Sequence, residues 1–96
     1  MTHPTPDQCA GLLRALGDPI RLRILTLLQG GPRTVAEVAD ALGLPPYKAS
    51  RHLSALVEIG AVAQERRGRK VVCTLAQEAP VIDFGCCSVR LEPTTP

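Results

Sequence analysis

Apolar and polar positions alternate along this chain with a helical period in its first two thirds. From Gln8 to Gly17 the apolar residues Cys9, Leu12, Leu13 and Leu16 recur at helical spacing, and Gly17 can end the helix. Residues 1–7 hold two prolines and no periodicity, so a flexible arm is expected there. Asp18-Pro19 opens a second helix, with Asp18 as N-cap and proline at the first helical position. Its apolar residues Ile20, Leu22, Ile24, Leu25, Leu27 and Leu28 are too widely spread for one buried face, which places this helix at the centre of the fold. Gly30-Gly31-Pro32 ends it.

Thr34 and Glu37 have the spacing of a capping box, in which hydroxyl and carboxylate satisfy the unpaired amides of a helix start. The helix they open turns Val35, Val38, Ala39 and Leu42 inward and stops at Gly43. After the short turn Gly43-Leu44-Pro45, a further helix runs from Pro46 to Ile59, closed by Gly60 and with Ala49, Leu53, Leu56 and Val57 as its buried stripe. Tyr47, Lys48, Ser50, Arg51 and Ser54 are left on the other faces. Two short helices joined by a tight glycine turn, the second polar and basic outside, make a helix-turn-helix. Ala61 to Glu65 and Val71 to Leu75 then read as strands joined by the turn Arg66-Arg67-Gly68-Arg69-Lys70.

The expected fold class is therefore mainly α with a small β-hairpin, a winged helix-turn-helix over residues 8–76. Residues 77–96 form a cysteine-bearing tail. Pro80 and Gly85 interrupt its apolar residues, and a helical turn around Gln77 to Ile82 and a strand-like Ser88 to Leu91 are both expected, with fraying from Pro93.

Composition adds three points. The chain is 45% apolar with Tyr47 and Phe84 as its only aromatics, so Leu, Val, Ile and Ala must build the core. Net charge is only +2, but Leu44 to Val72 concentrates Lys48, Arg51, Arg66, Arg67, Arg69 and Lys70 against Glu58 and Glu65. No apolar run approaches the roughly 18–20 residues of a membrane span, and the N-terminus lacks the basic-then-apolar order of a secretory signal. A cytoplasmic protein is expected. There thiols stay reduced, so the four cysteines read as ligands, sensors or core residues.

Three segments together resemble the ArsR/SmtB metalloregulators: Leu16-Gly17-Asp18-Pro19-Ile20-Arg21-Leu22-Arg23-Ile24-Leu25, Leu44-Pro45-Pro46-Tyr47-Lys48-Ala49-Ser50-Arg51-His52-Leu53, and Glu65-Arg66-Arg67-Gly68-Arg69-Lys70-Val71-Val72. Phe84-Gly85-Cys86-Cys87 also looks like the Gly-Cys-Cys ending of arsenite-responsive members. The resemblance covers roughly residues 10–76 and implies a homodimer that binds double-stranded operator DNA and releases it on binding a metal or metalloid. There are departures. Thr34-Val35-Ala36-Glu37-Val38 lacks the cysteines that family members often carry at the start of the helix-turn-helix, and no cysteine follows Cys87. A hydroxyl cap on the recognition helix is replaced by Pro45.

Cys86 and Cys87 are the expected ligands for As(III) or Sb(III), since soft ions favour thiolates over carboxylates. Trivalent arsenic and antimony prefer three sulfurs in a pyramid. Given the family's dimer interface along the first helix, the resemblance makes Cys9 the expected third ligand. Cys73 alternates with Val71 and Leu75 and is read as core, and His52 as a hydrogen-bonded packing residue. For DNA, Tyr47, Lys48, Ser50 and Arg51 occupy the first turns of the recognition helix, where base edges are met. Arg67, Arg69 and Lys70 on the wing are expected at phosphates or the minor groove.

A thiol redox or persulfide sensor linking Cys9 with Cys86 or Cys87, and a cadmium or lead sensor, keep the same fold and change the signal. A cysteine-based metalloid carrier or small oxidoreductase is the alternative from another class, though it would need neither basic helix nor wing. No nucleophile–base pair, phosphate loop or Cys-x-x-Cys motif is present, so an enzyme is not expected.

Overall fold

The computed structural model describes residues 4–77 and 81–91. Four helices and five short strands follow in the order α1 (Pro6–Leu16), α2 (Pro19–Leu28), β1 (Arg33–Thr34), α3 (Val35–Leu42), α4 (Pro46–Glu58), β2 (Val62–Arg67), β3 (Lys70–Leu75), β4 (Val81–Asp83) and β5 (Ser88–Arg90).

Helix α1 starts two residues before the expected Gln8. Thr5 is its N-cap: the Thr5 hydroxyl accepts from the Gln8 amide at 3.2 Å, and Gln8 Oε1 accepts from the Thr5 amide at 2.8 Å. This second capping box has glutamine where the one at Thr34 has glutamate, and it draws Pro6 and Asp7 out of the expected arm into the helix. The part of the arm at residues 1–3 lies outside the described residues, as do 78–80 and 92–96.

Helix α2 is the centre. Ile24, Leu25 and Leu28 are buried while Ile20, Leu22 and Leu27 are partly covered, because α3, α4 and β3 all contact it. Asp18 Oδ1 accepts from the Ile20 amide at 2.8 Å, and Pro19 fills the first helical position. Helix α3 ends at Gly43 with φ +64°, a left-handed conformation that costs a residue without Cβ nothing, and Leu44 donates back to the Ala39 carbonyl at 2.9 Å. That reversal sends the chain directly into α4.

Helix α4 anchors through Ala49, Leu53 and Leu56, each fully buried. Val57, expected in that stripe, is 37% exposed at the helix end, and Leu13 of α1 is likewise 53% exposed. On the other side of the molecule β2 and β3 pair antiparallel from Val62↔Leu75 to Arg67↔Lys70. The two-residue strand β1, unforeseen in the pattern, adds to β3 as Arg33↔Cys73 and Thr34↔Val72, giving the order β1-β3-β2.

Most of the helical turn expected around Gln77 to Ile82 falls on residues 78–80, outside the described residues, but its end at Val81 and Ile82 is extended. Val81–Asp83 is a strand that pairs with Ser88–Arg90 as an antiparallel hairpin, with Ile82↔Val89 at its centre. Ile82 and Leu91 enter the same core as Leu16, Ile24 and Leu53, and Gln29 Nε2 donates to the Leu91 carbonyl at 2.8 Å. The cysteine-bearing segment is thus packed on the helical body.

Candidate nucleic-acid interface and thiol site

Burying Ala49 and Leu53 fixes which side of α4 faces outward. Tyr47 (62% exposed), Lys48, Ser50 and Arg51 lie on that open face in the first two turns. Pro45 supplies no side-chain cap, so the helix start remains open to solvent as its sequence implied. On the wing, Arg69 and Lys70 are exposed at the β2–β3 turn. Arg67 is held differently: its Nη2 donates to Glu65 Oε2 at 3.1 Å on the same strand, both side chains about two-thirds exposed at 66% and 67%. Such a pair is worth at most about 1 kcal/mol and exchanges readily for another acceptor.

One residue beside this face escaped the sequence reading. Arg21 of α2 donates from Nε to His52 Nδ1 at 3.2 Å and from Nη1 to the Ala15 carbonyl at 3.0 Å. It therefore ties the last turn of α1 to α2 and α4, and His52 is the hydrogen-bonded packing residue expected of it. An arginine alone in the apolar first turn of α2 was the available signal.

The cysteines divide in two. Cys73 is fully buried between the helices and the sheet, and Gln64 Nε2 donates to its sulfur at 3.6 Å. Burial pushes its thiol up, only partly opposed by that bond. Of the other three, Cys86 and Cys87 lie on the β4–β5 turn and Cys9 on α1 beside it. The β4–β5 turn is closed by the Phe84 amide donating to the Cys87 carbonyl at 2.8 Å, and the Gly85 amide donates to Asp83 Oδ1 at 2.8 Å. Gly85 takes φ +89° there, and a Cβ built on it would meet Pro4 Cγ at 3.5 Å, so the turn is seated against the start of α1. Cys86 is exposed and Cys87 half-buried, with their sulfurs 4.0 Å apart.

Cys9, in the first turns of α1, reaches this hairpin. A thiol–thiol hydrogen bond with Cys86, burial, and the charges Cys86 and Cys87 would carry push the Cys9 thiol up to about 11. Cys87 is also raised, first by burial, then by Cys86 and by the Asp83 carboxylate. Beside the thiols lies an open groove of about 820 Å³ bordered by Gln8, Leu12, Ile59, Phe84 and Cys86.

The donor chemistry suits a soft ion. Two sulfurs each about 2.3 Å from one tetrahedral centre would stand about 3.8 Å apart, close to the 4.0 Å of Cys86 and Cys87. Among the described residues, no group of three His, Cys, Asp or Glu side chains is already set to hold a metal ion. The pair fits; Cys9 is near but must move to join it.

A basic recognition helix on an Ala49–Leu53 anchor, followed by a charged hairpin, defines a winged-helix DNA-binding domain. A family model described as "Helix-turn-helix domain" matches residues 16–65. A "Probable mercury resistance operon repressor" of Streptomyces lividans is 43% identical over 70 residues, 73% of this chain and 54% of that protein. The chain thus spans just over half of that relative's length. A solution structure of "the homodimeric winged helix-turn-helix DNA-binding domain" of a "possible ArsR-family transcriptional regulator" from Mycobacterium bovis superposes with TM-score 0.69 at 34% identity, over 80% of this chain and 77% of that one. The crystal structure of a "Possible transcriptional regulator for arsenical resistance" gives TM-score 0.63 at 32% identity over 66% of each chain. This chain belongs to the ArsR/SmtB family of winged-helix transcriptional regulators. No helix among the described residues is long and apolar enough to cross a membrane.

Proposed function

We propose that this chain is a metalloid-responsive repressor of the cytoplasm that binds operator DNA as a homodimer and leaves it when As(III) or Sb(III) binds. Cys86 and Cys87 supply two thiolates and Cys9 the third. The observation that carries this reading is the 4.0 Å separation of the Cys86 and Cys87 sulfurs on a hairpin turn that packs against Pro4, just ahead of the helix that carries Cys9. The ligation balances as As(OH)3 with three thiols giving one As(SR)3 unit and three waters. Because Cys9 sits on α1, recruiting it pulls that helix against the hairpin, and Arg21 passes from α1 to the recognition helix.

DNA is held by Tyr47, Lys48, Ser50 and Arg51 of the recognition helix, whose contacts fall on base edges and backbone, and by Arg67, Arg69 and Lys70 of the wing. The homodimeric M. bovis relative and the exposed Leu13 of α1 support the homodimer. X-ray absorption at the arsenic edge of the loaded protein tests the site. Three sulfur neighbours falling to two in Cys9→Ser support it; two in both proteins remove Cys9 from it.

The packing of the Cys86–Cys87 turn beside the start of α1, which carries Cys9, also favours a second reading, a disulfide switch. There two thiols and a peroxide would give a disulfide and two waters. The thiolate is the attacking species, and a Cys9 thiol raised to about 11 stays protonated at neutral pH, so Cys9 would not be the residue that attacks the peroxide. The mercury name of the S. lividans relative keeps Hg(II), with Cd(II) and Pb(II), as rival inducers of the same site.

A further inference from the structure

Between the first turn of α2 and the recognition face of α4 lies a second, smaller cleft of about 230 Å³. Its walls are Ile20, Arg21, Leu44, Lys48, Arg51 and His52. Three of those six residues are cations, one is an imidazole, and none is a carboxylate. The nearest acid on α2, Asp18 at its N-cap, has its Oδ1 engaged by the Ile20 amide.

Like charges gathered in a partly walled cleft focus a positive potential there. Arg21 adds to it without being neutralised, because both groups it bonds, the Ala15 carbonyl and His52 Nδ1, are uncharged acceptors in this arrangement. Accepting at Nδ1 leaves the imidazole proton on Nε2. The two bonds also fix the guanidinium and leave the rest of its N–H fork for an anion. Lys48 and Arg51 approach from α4, which presents Tyr47 and Ser50 to the duplex on the same turns. A strut that only tied helices together would not need a charge, nor two further cations across a cleft.

We propose that this cleft seats one backbone phosphate of the bound duplex, with Arg21, Lys48 and Arg51 as its ligands. His52 is a positioning residue that acts through Arg21. The seat rests on the reading of α4 as the DNA-binding helix and extends it to α2. It would fix how deeply α4 enters the groove without reading sequence, since phosphate contacts set register and orientation.

The test is fluorescence anisotropy of a labelled mixed-sequence duplex of about three helical turns, titrated with the full chain over a range of salt. Each phosphate contact contributes about −0.9 to the slope of log affinity against log salt. Arg21→Ala should flatten the slope by about that much, so that raising salt from about 50 to about 200 mM costs it about threefold less affinity than wild type. Arg21→Lys should keep the slope. An unchanged slope in a folded Arg21→Ala protein overturns the seat and leaves DNA binding by α4 standing. Failure of wild type to bind any duplex overturns the underlying reading instead. Should Arg21→Ala not fold, the Nε–H resonance of Arg21 in wild type decides the matter. It should shift and saturate as duplex is added, and a resonance that stays in place overturns the proposal.

Discussion

The sulfurs of Cys86 and Cys87 lie 4.0 Å apart across a turn in which Gly85 takes φ +89°. Neighbouring cysteines make a poor disulfide, because their Cα atoms stand about 3.8 Å apart while a bridge usually needs about 4.4 Å or more. The same spacing is nearly that of two ligands on one soft ion. The 4.0 Å between the sulfurs thus suits the proposed ligation better than a bridge between the two. Replacing Cys86 or Cys87 by serine is expected to leave affinity for DNA within about twofold, since neither lies on α4 or the wing, and to abolish the response to arsenite. Anisotropy with and without arsenite measures both; loss of DNA binding in the variants would assign the pair a structural role.

Proton release separates a metalloid from a divalent metal at this site. As(OH)3 takes three thiols and gives three waters with no net proton, so its affinity should be flat between about pH 6 and pH 8. Cd(II) or Hg(II) must displace a proton from each thiol it recruits, and Cys9, raised to about 11, is still protonated throughout that range. Affinity for these ions should climb about tenfold per pH unit for each thiol bound. Isothermal titration in buffers of different ionisation enthalpy counts the protons directly.

The start of α3 carries a pH-dependent term. The Thr34 amide, then the Thr34 hydroxyl side, holds Glu37 below the ordinary carboxylate range. A carboxylate lowered on folding contributes stability that is present above its unfolded value and is lost as pH falls through its folded one. Thr34→Ala should cost about 1 kcal/mol at neutral pH, and Glu37→Gln should remove this contribution to acid sensitivity. Thermal melts at neutral and acid pH report both.

In the proposed complex, DNA would compete with Glu65 for Arg67 on the wing. Glu65→Gln removes that competitor and an acid from the docking face, so duplex affinity at low salt should rise severalfold, on the order of the about 1 kcal/mol such a pair is worth. The salt slope should steepen as Arg67 joins a phosphate. A variant with unchanged affinity would show that the wing arginine stays clear of DNA.

Much of the helical body was legible in the sequence because its signals are local. Asp18-Pro19, Thr34 with Glu37, and Gly43 each act within a few residues, and the structure places helix ends at all of them. Thr5 and Gln8 carried an equally local signal, masked by the prolines around them. Strand β1 was not legible, because a two-residue strand has no period and exists only by pairing with β3. The tail misled for a related reason: Val81–Asp83 is too short to show alternation, and its partner lies beyond a turn whose glycine read merely as an interruption. Cys86 and Cys87 stood out by chemistry alone. That Cys9 lies beside them needed the hairpin to fold back against the start of α1, and the pairing of Arg21 with His52 needed α2 to pack on α4.

The most direct measurement is an arsenite titration of the dimer bound to duplexes that the protein itself selects from a random-sequence pool, followed by anisotropy at fixed salt. Release of the duplex as arsenite is added, absent in Cys86→Ser, is the predicted result. A complex that stays intact at arsenite concentrations saturating the thiols would contradict the account.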